Sequence, residues 1–103
     1  MVFFNLLSGN TKTASIEEYL DKNAIVIDVR TKMEFMEGHV QGSKNIPLDR
    51  IGLELAEIKK YNKPIITCCR SGARSGSAAN IMKQQGIDAI NGGPWQNVAD
   101  CIK

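Results

Sequence analysis

Pro64-Ile65-Ile66-Thr67-Cys68-Cys69-Arg70-Ser71-Gly72-Ala73-Arg74-Ser75-Gly76-Ser77-Ala78-Ala79-Asn80-Ile81-Met82-Lys83-Gln84-Gln85 contains a strand, a short polar loop and a helix, in that order. The apolar run over 64–68 reads as a buried strand, and the segment from Ser75 on reads as a helix closed by Gly86 at its C′ position. In an open parallel sheet, ligands bind at the carboxyl ends of strands. A loop there that feeds a helix turns its free N–H groups into its own hollow. Gly72 permits backbone turns that other residues resist, and Arg70 and Arg74 add positive charge. The stretch predicts a small cradle for an anion with a sulfur atom at its floor.

That setting bears on the cysteine. A free thiol has a pKa of about 8.5, and helix N-termini and nearby arginines lower it to about 3.5–7.5. The thiolate is the nucleophile. Cys69 is therefore the candidate nucleophile, and Arg70, Ser71, Gly72, Ala73, Arg74 and Ser75 are the candidate binding residues for the negative charge it gathers. The alternative is that Cys68 and Cys69 are two small buried apolar side chains, the commoner fate of a free cysteine. For Cys69 the two Arg, one Gly and two Ser within the next six residues favour chemistry. For Cys68, the last residue of the expected strand, burial is expected to raise the pKa and keep the thiol inert.

Moving outward, Ala24-Ile25-Val26-Ile27 is continuous and apolar, as in a parallel strand covered on both faces, and Asp28 ends it. Thr31 with Glu34 forms a capping box for a short helix through Met36. A short strand is expected over 43–46, ended by Pro47. Leu48, Ile51, Leu55 and Ile58 recur at helical spacing and predict a helix over 49–60 whose stripe is core. Asp88-Ala89-Ile90 reads as a last strand, 91–94 as a turn, and 95–102 as a final helix in which Cys101 packs. At the other end, 2–4 reads as an edge strand, Ser8-Gly9-Asn10 as a turn, and Ser15 with Glu18 as a capping box for a helix over 16–20, which Asn23 closes. Strands alternating with helices predict an α/β fold: a small, open, mainly parallel sheet flanked by helices on both faces.

Four segments resemble the rhodanese-like family, in that family's order. Cys69 to Ser75 resembles its active-site loop. Ile25-Val26-Ile27-Asp28-Val29-Arg30 resembles its Asp-Val-Arg strand end. Glu34-Phe35-Met36-Glu37-Gly38-His39-Val40-Gln41-Gly42-Ser43-Lys44-Asn45-Ile46-Pro47 resembles its Glu-Phe, Gly-His and Asn-Ile-Pro stretch, and Asn91-Gly92-Gly93-Pro94-Trp95 its late Gly-Gly and Trp. The resemblance implies a rhodanese-like fold and sulfurtransferase chemistry, with Cys69 carrying the transferred sulfur as a persulfide. It implies a small anionic donor such as thiosulfate, and a thiol, cyanide or a sulfur-accepting protein as acceptor. It also implies a structural His39, which agrees with the position of that residue after a helix-ending Gly. Asp28, Arg30 and Glu34 read as an ion-pair network that pins the second helix.

Two other classes remain open. Cell-cycle dual-specificity phosphatases resemble rhodaneses in fold, and a phosphatase or arsenate reductase would use Cys-x5-Arg. From Cys69 to Arg74 the spacing is Cys-x4-Arg, a smaller ring that suits a persulfide sulfur. Cys68 to Arg74 does give Cys-x5-Arg, but Thr67 stands where the phosphatase signature has His. The third class is a non-catalytic binding module, which the presence of Cys69 disfavours.

Composition narrows the field further. A chain of 103 residues suits one domain over 1–103. Its 43% hydrophobic and 23% charged residues match a chain that can bury a core. A net charge of +2 is too small to point to nucleic acid or a membrane surface. The three cysteines form no disulfide framework and, with a single His, no zinc spacing. No metal or organic cofactor is called for. Free thiols, with neither a basic leader nor a long apolar segment, predict a cytoplasmic protein.

Overall fold

The computed structural model describes residues 4–102, with side chains from residue 13 onward. Its elements run α1 (Phe4–Asp21), β1 (Ile25–Asp28), α2 (Lys32–Met36), β2 (Lys44–Asn45), a 3-10 turn (Leu48–Arg50), α3 (Ile51–Tyr61), β3 (Ile65–Cys69), α4 (Ala73–Gln84), β4 (Ala89–Pro94) and α5 (Trp95–Cys101). The strands form one sheet in the order β2-β1-β3-β4. Every pairing in it is parallel. The α/β architecture with helices on both faces is thus as expected.

The apolar runs explain the layers. Successive strand residues point to opposite faces. Ile27 and Ile65 enter a core with Ile51 and Ile58 of α3 and Ala78, Ala79 and Met82 of α4. Val26 and Ile66 enter a second core with Ile16 of α1 and Val98 of α5. Strands β1 and β3 are therefore apolar on both sides, as central parallel strands must be.

Five expectations fail, each for a physical reason. The turn expected at 8–10 is helical, and Ser15 lies inside α1 rather than capping it. Propagating a helix gains one hydrogen bond per residue fixed, whereas a new start requires a fresh nucleus. The expected strand at 2–4 lies outside the described residues except for Phe4, the first residue of α1. Strand β3 runs one residue further than expected and includes Cys69, which pairs with Pro94 across an irregularity in the register. Residues 91–94 continue β4 instead of turning, because the parallel ladder with β3 extends along them. Helix α4 begins at Ala73, two residues early, because Gly72 takes the left-handed conformation (φ 104°) and reverses the chain there. At its other end α4 closes as expected: Gly86 N–H reaches the Lys83 carbonyl and Ile87 N–H the Met82 carbonyl, a double C-terminal cap.

Candidate active site

The sulfur of Cys69 stands where β3 ends and α4 begins. No side chain caps α4. The sulfur takes that place: Ser75 N–H donates to Sγ at 3.4 Å and Gly72 N–H at 3.0 Å, with Ser75 Oγ 3.2 Å away. Burial would by itself push the Cys69 thiol up. The hydroxyl and N–H of Ser75 and the N–H groups of Gly72 and Ser71 outweigh that and hold it below the ordinary thiol value. Its neighbour is as deeply buried but has different surroundings. Cys68 points into the opposite core. Burial first, and then the charge of Asp28, push its thiol up to about 12. The two adjacent thiols thus lie in separate environments, as strand alternation requires.

The seven loop residues are not equivalent. Ser75 is fully buried beside the sulfur. Ser71 is exposed, and its Oγ accepts a 3.5 Å hydrogen bond from Ala73 N–H. Arg70 is exposed, makes no ion pair among the described residues, and borders an open recess of about 220 Å³ with Glu37, Trp95 and Gln96. Arg74 is engaged: its guanidinium forms two hydrogen bonds with the Glu34 carboxylate, at 2.8 and 3.0 Å. The Arg74 pair, with help from Thr31 N–H, holds the Glu34 carboxyl down at about 2.

This corrects the network expected around Arg30. Arg30 grips Asp28 through both carboxylate oxygens, at 2.9 and 2.6 Å, and spans to the backbone carbonyls of Glu34 and Gly38. Its guanidinium lies 5.2 Å from the Trp95 ring centre. The Glu34 carboxylate belongs to Arg74 instead, while also accepting from Thr31 N–H in the expected capping box. Helix α2 is pinned, but by two different arginines. His39 stacks on Phe35 at 3.7 Å and donates from Nδ1 to the Phe35 carbonyl, a structural arrangement.

Sequence reasoning missed Asn91. Its Oδ1 accepts from Ser75 Oγ at 2.7 Å and from Gly93 N–H at 2.9 Å, and its Nδ2 donates to the Gly72 carbonyl at 3.0 Å. The signal was its place in β4, whose parallel register sets Asn91 opposite Thr67, two residues before Cys69. Thr67 also joins the site's support, donating to the Ser75 carbonyl at 2.8 Å. Among the described residues no cluster of His, Cys, Asp or Glu could hold a metal ion. No described helix is long and apolar enough to cross a membrane.

The sequence and the fold both resemble those of known proteins. A family model described as a rhodanese-like domain matches residues 12–95. The chain is 37% identical over 81 residues to the uncharacterized protein YqhL of Bacillus subtilis, covering 77% of this chain and 64% of that protein, so it spans under two thirds of that relative's length. It is 34% identical over 74 residues to the thiosulfate sulfurtransferase GlpE of Pseudoalteromonas translucida, covering 71% of this chain and 70% of that one. A solved structure of a rhodanese with anions from Escherichia coli superposes with a TM-score of 0.67 at 31% identity, over 74% of this chain and 92% of that chain.

Proposed function

The chain belongs to the rhodanese-like domain family, and on that premise we propose that it is a sulfurtransferase, one unit over residues 1–103, that moves sulfane sulfur through a persulfide on Cys69. The observation that carries this is the pair of backbone donors on Cys69 Sγ, from Gly72 N–H and Ser75 N–H, with the Ser75 hydroxyl 3.2 Å from the same sulfur. Such a setting favours a sulfur that bears negative charge, both as thiolate and as persulfide.

Two steps follow. The Cys69 thiolate attacks the outer sulfur of thiosulfate; the new S–S bond forms as the old one breaks, and its electron pair leaves with sulfite. An acceptor thiolate or cyanide then attacks the outer persulfide sulfur and takes it, returning the Cys69 thiolate. Charge and atoms balance in both steps without an external oxidant or a cofactor. Cys69 is buried, and the exposed part of the loop nearest it is Arg70 and Ser71, the side from which a donor would approach. Arg70 offers the uncommitted charge that meets the anion, while Gly72, Ala73, Arg74 and Ser75 build the turn beneath it. A phosphatase or arsenate reductase in the Cys68 register is opposed by the position and raised pKa of Cys68. Three thiols fit a reducing compartment such as the cytoplasm.

Intact mass after thiosulfate treatment tests the reading. The protein should gain one sulfur atom, which cyanide or a reductant removes. Cys69→Ser should gain none, since a hydroxyl is too weakly acidic to replace the thiolate, and Cys68→Ala should still gain it. A wild-type protein whose mass does not change under these conditions would be no sulfurtransferase of this kind.

A further inference from the structure

Ser75 has one hydroxyl hydrogen and two neighbours that want it. Asn91 Oδ1 lies 2.7 Å from Ser75 Oγ, and Cys69 Sγ lies 3.2 Å from it. The Asn91 amide cannot be reversed, because its Nδ2 donates to the Gly72 carbonyl and its Oδ1 accepts from Gly93 N–H. Oδ1 is therefore an acceptor only, and the short bond to Ser75 must carry the Ser75 hydrogen. A hydroxyl offers one donor and two lone pairs. With its hydrogen on Asn91, Ser75 can only accept from the sulfur, which requires Cys69 to be a thiol. A thiolate has no hydrogen to give and would need the Ser75 hydrogen for itself.

We propose that Asn91 is a positioning residue that sets the acidity of Cys69 through Ser75: it holds the Ser75 hydrogen away from the sulfur while Cys69 is a thiol and releases it to the sulfur when Cys69 ionises. The inference rests on the reading of Cys69 as the nucleophile and adds a control on its charge state. The exchange leaves no orphan behind. When the Ser75 hydroxyl turns to Sγ, Asn91 Oδ1 keeps the Gly93 N–H at 2.9 Å and Nδ2 keeps the Gly72 carbonyl. Two neutral hydrogen bonds are given up, Ser75 to Asn91 and the weaker one from the thiol to Ser75, and one charge-assisted bond of about twice the neutral strength is gained. Asn91 thus makes the thiol form somewhat more stable than a site with Ser75 alone would. The same cycle fits sulfur transfer, where Cys69 ends each turnover as a thiolate.

The other charged groups around the sulfur do not depend on this pair. Arg74 of α4 is balanced by Glu34 of α2. Arg70 follows Cys69 in the chain and is exposed, and Asp28 of β1 is paired with Arg30. Cys68 points to the far core with its pKa raised. Strand β4, Ala89–Pro94, contributes no titratable side chain, and α3 faces this core with Ile51 and Ile58.

The test is the pH profile of Cys69 alkylation by iodoacetamide, a neutral probe whose reaction needs no sulfur transfer. In Asn91→Ala the Ser75 hydrogen has no rival acceptor, so the midpoint should fall by about half a unit to one unit, the size of one neutral hydrogen bond. In Ser75→Ala the midpoint should rise, and adding Asn91→Ala to Ser75→Ala should move it no further. A rise in Asn91→Ala would overturn the proposal, because it would mean that Asn91 acts by holding Gly72 and Gly93 in the loop. So would a fall that persists in the Ser75→Ala background. A measurement on the unaltered protein guards against variants that fail to fold. The S–H stretch that disappears on alkylating Cys69 should lie at the low frequency of a thiol that donates a hydrogen bond, and a non-donating frequency would overturn the assignment. Thiosulfate loading followed by intact mass, run alongside, separates the two claims. A Cys69 that alkylates as described but never gains sulfur sinks the sulfurtransferase reading and leaves the role of Asn91 supported.

Discussion

Arg70 and Arg74 sit four residues apart with the same charge, yet their surroundings divide their work. Arg74 is one-third exposed and held on two oxygens of Glu34, so much of its field is spent inside the protein. Arg70 faces the recess beside Trp95 with no ion pair among the described residues. The sequence shows two cations bracketing a loop and treats them alike; only the fold brings Glu34 across forty positions of chain to one of them. The expected outcome is a split. Arg70→Gln should raise the Michaelis constant for thiosulfate about fivefold, the effect of on the order of 1 kcal/mol for an exposed charge contact, with little change in kcat. Arg74→Gln should lower kcat instead, by loosening the first turn of α4 beside Ser75. Steady-state kinetics at low ionic strength separates the two, since screening weakens an exposed charge most. A larger Michaelis effect from Arg74 would mean that Arg74 leaves Glu34 to meet the donor.

At the scale of elements, what was legible depended on periodicity and what was not depended on partners. The strands β1 and β3 and the helix α3 could be read because unbroken apolar runs and a 3.6-residue stripe have few other uses. Residues 91–94 could not, because Asn-Gly-Gly-Pro is turn chemistry by local preference. It becomes strand only because β3 lies alongside. The same blind spot hid Asn91, whose role depends on a register that no local pattern encodes. The reason for one of those glycines is now visible. A Cβ on Gly92 would lie 2.7 Å from Val98 Cγ2, 2.8 Å from Ile66 Cγ2 and 2.8 Å from the Thr67 carbonyl oxygen. Helix α5 and β3 are packed against β4 with no room for a methyl group. Gly92→Ala should therefore destabilise by about 1–3 kcal/mol, the usual range for overpacking a filled core. Gly52→Ala, in α3 with nothing within 4 Å of the added Cβ, should instead be neutral or stabilising by about 0.5 kcal/mol. Urea unfolding of the two variants reads this directly, and equal effects would show that backbone entropy and not packing decides at Gly92.

At the scale of the whole molecule, one ion pair among the described residues differs in kind from the rest. Lys22–Glu18, Arg50–Glu54 and Lys60–Glu57 join residues three or four apart in the chain and are largely exposed, and Asp28–Arg30 joins near neighbours. Exposed pairs of the first sort contribute little. Glu34–Arg74 ties α2, on one side of the site, to the first turn of α4. Its carboxyl is held at about 2, against an ordinary value of 4.5, chiefly by the Arg74 guanidinium and next by Thr31 N–H. A carboxyl whose folded value lies below its unfolded value binds its proton more readily in the unfolded chain. The stability it adds is complete above the unfolded value and is lost as pH falls toward the folded one. The unfolding free energy should thus decline between pH 4.5 and about 2. Glu34→Gln cannot ionise, so its stability at neutral pH should be lower and its decline over that window shallower than that of the unaltered protein. The amide oxygen can still accept from Thr31 N–H, which separates the loss of charge from the loss of the helix cap. Urea midpoints taken at steps of pH check this. If both proteins lost stability in parallel as pH fell, the acid sensitivity would have to come from other carboxylates, and the Glu34–Arg74 tie would be a contact without consequence for the fold.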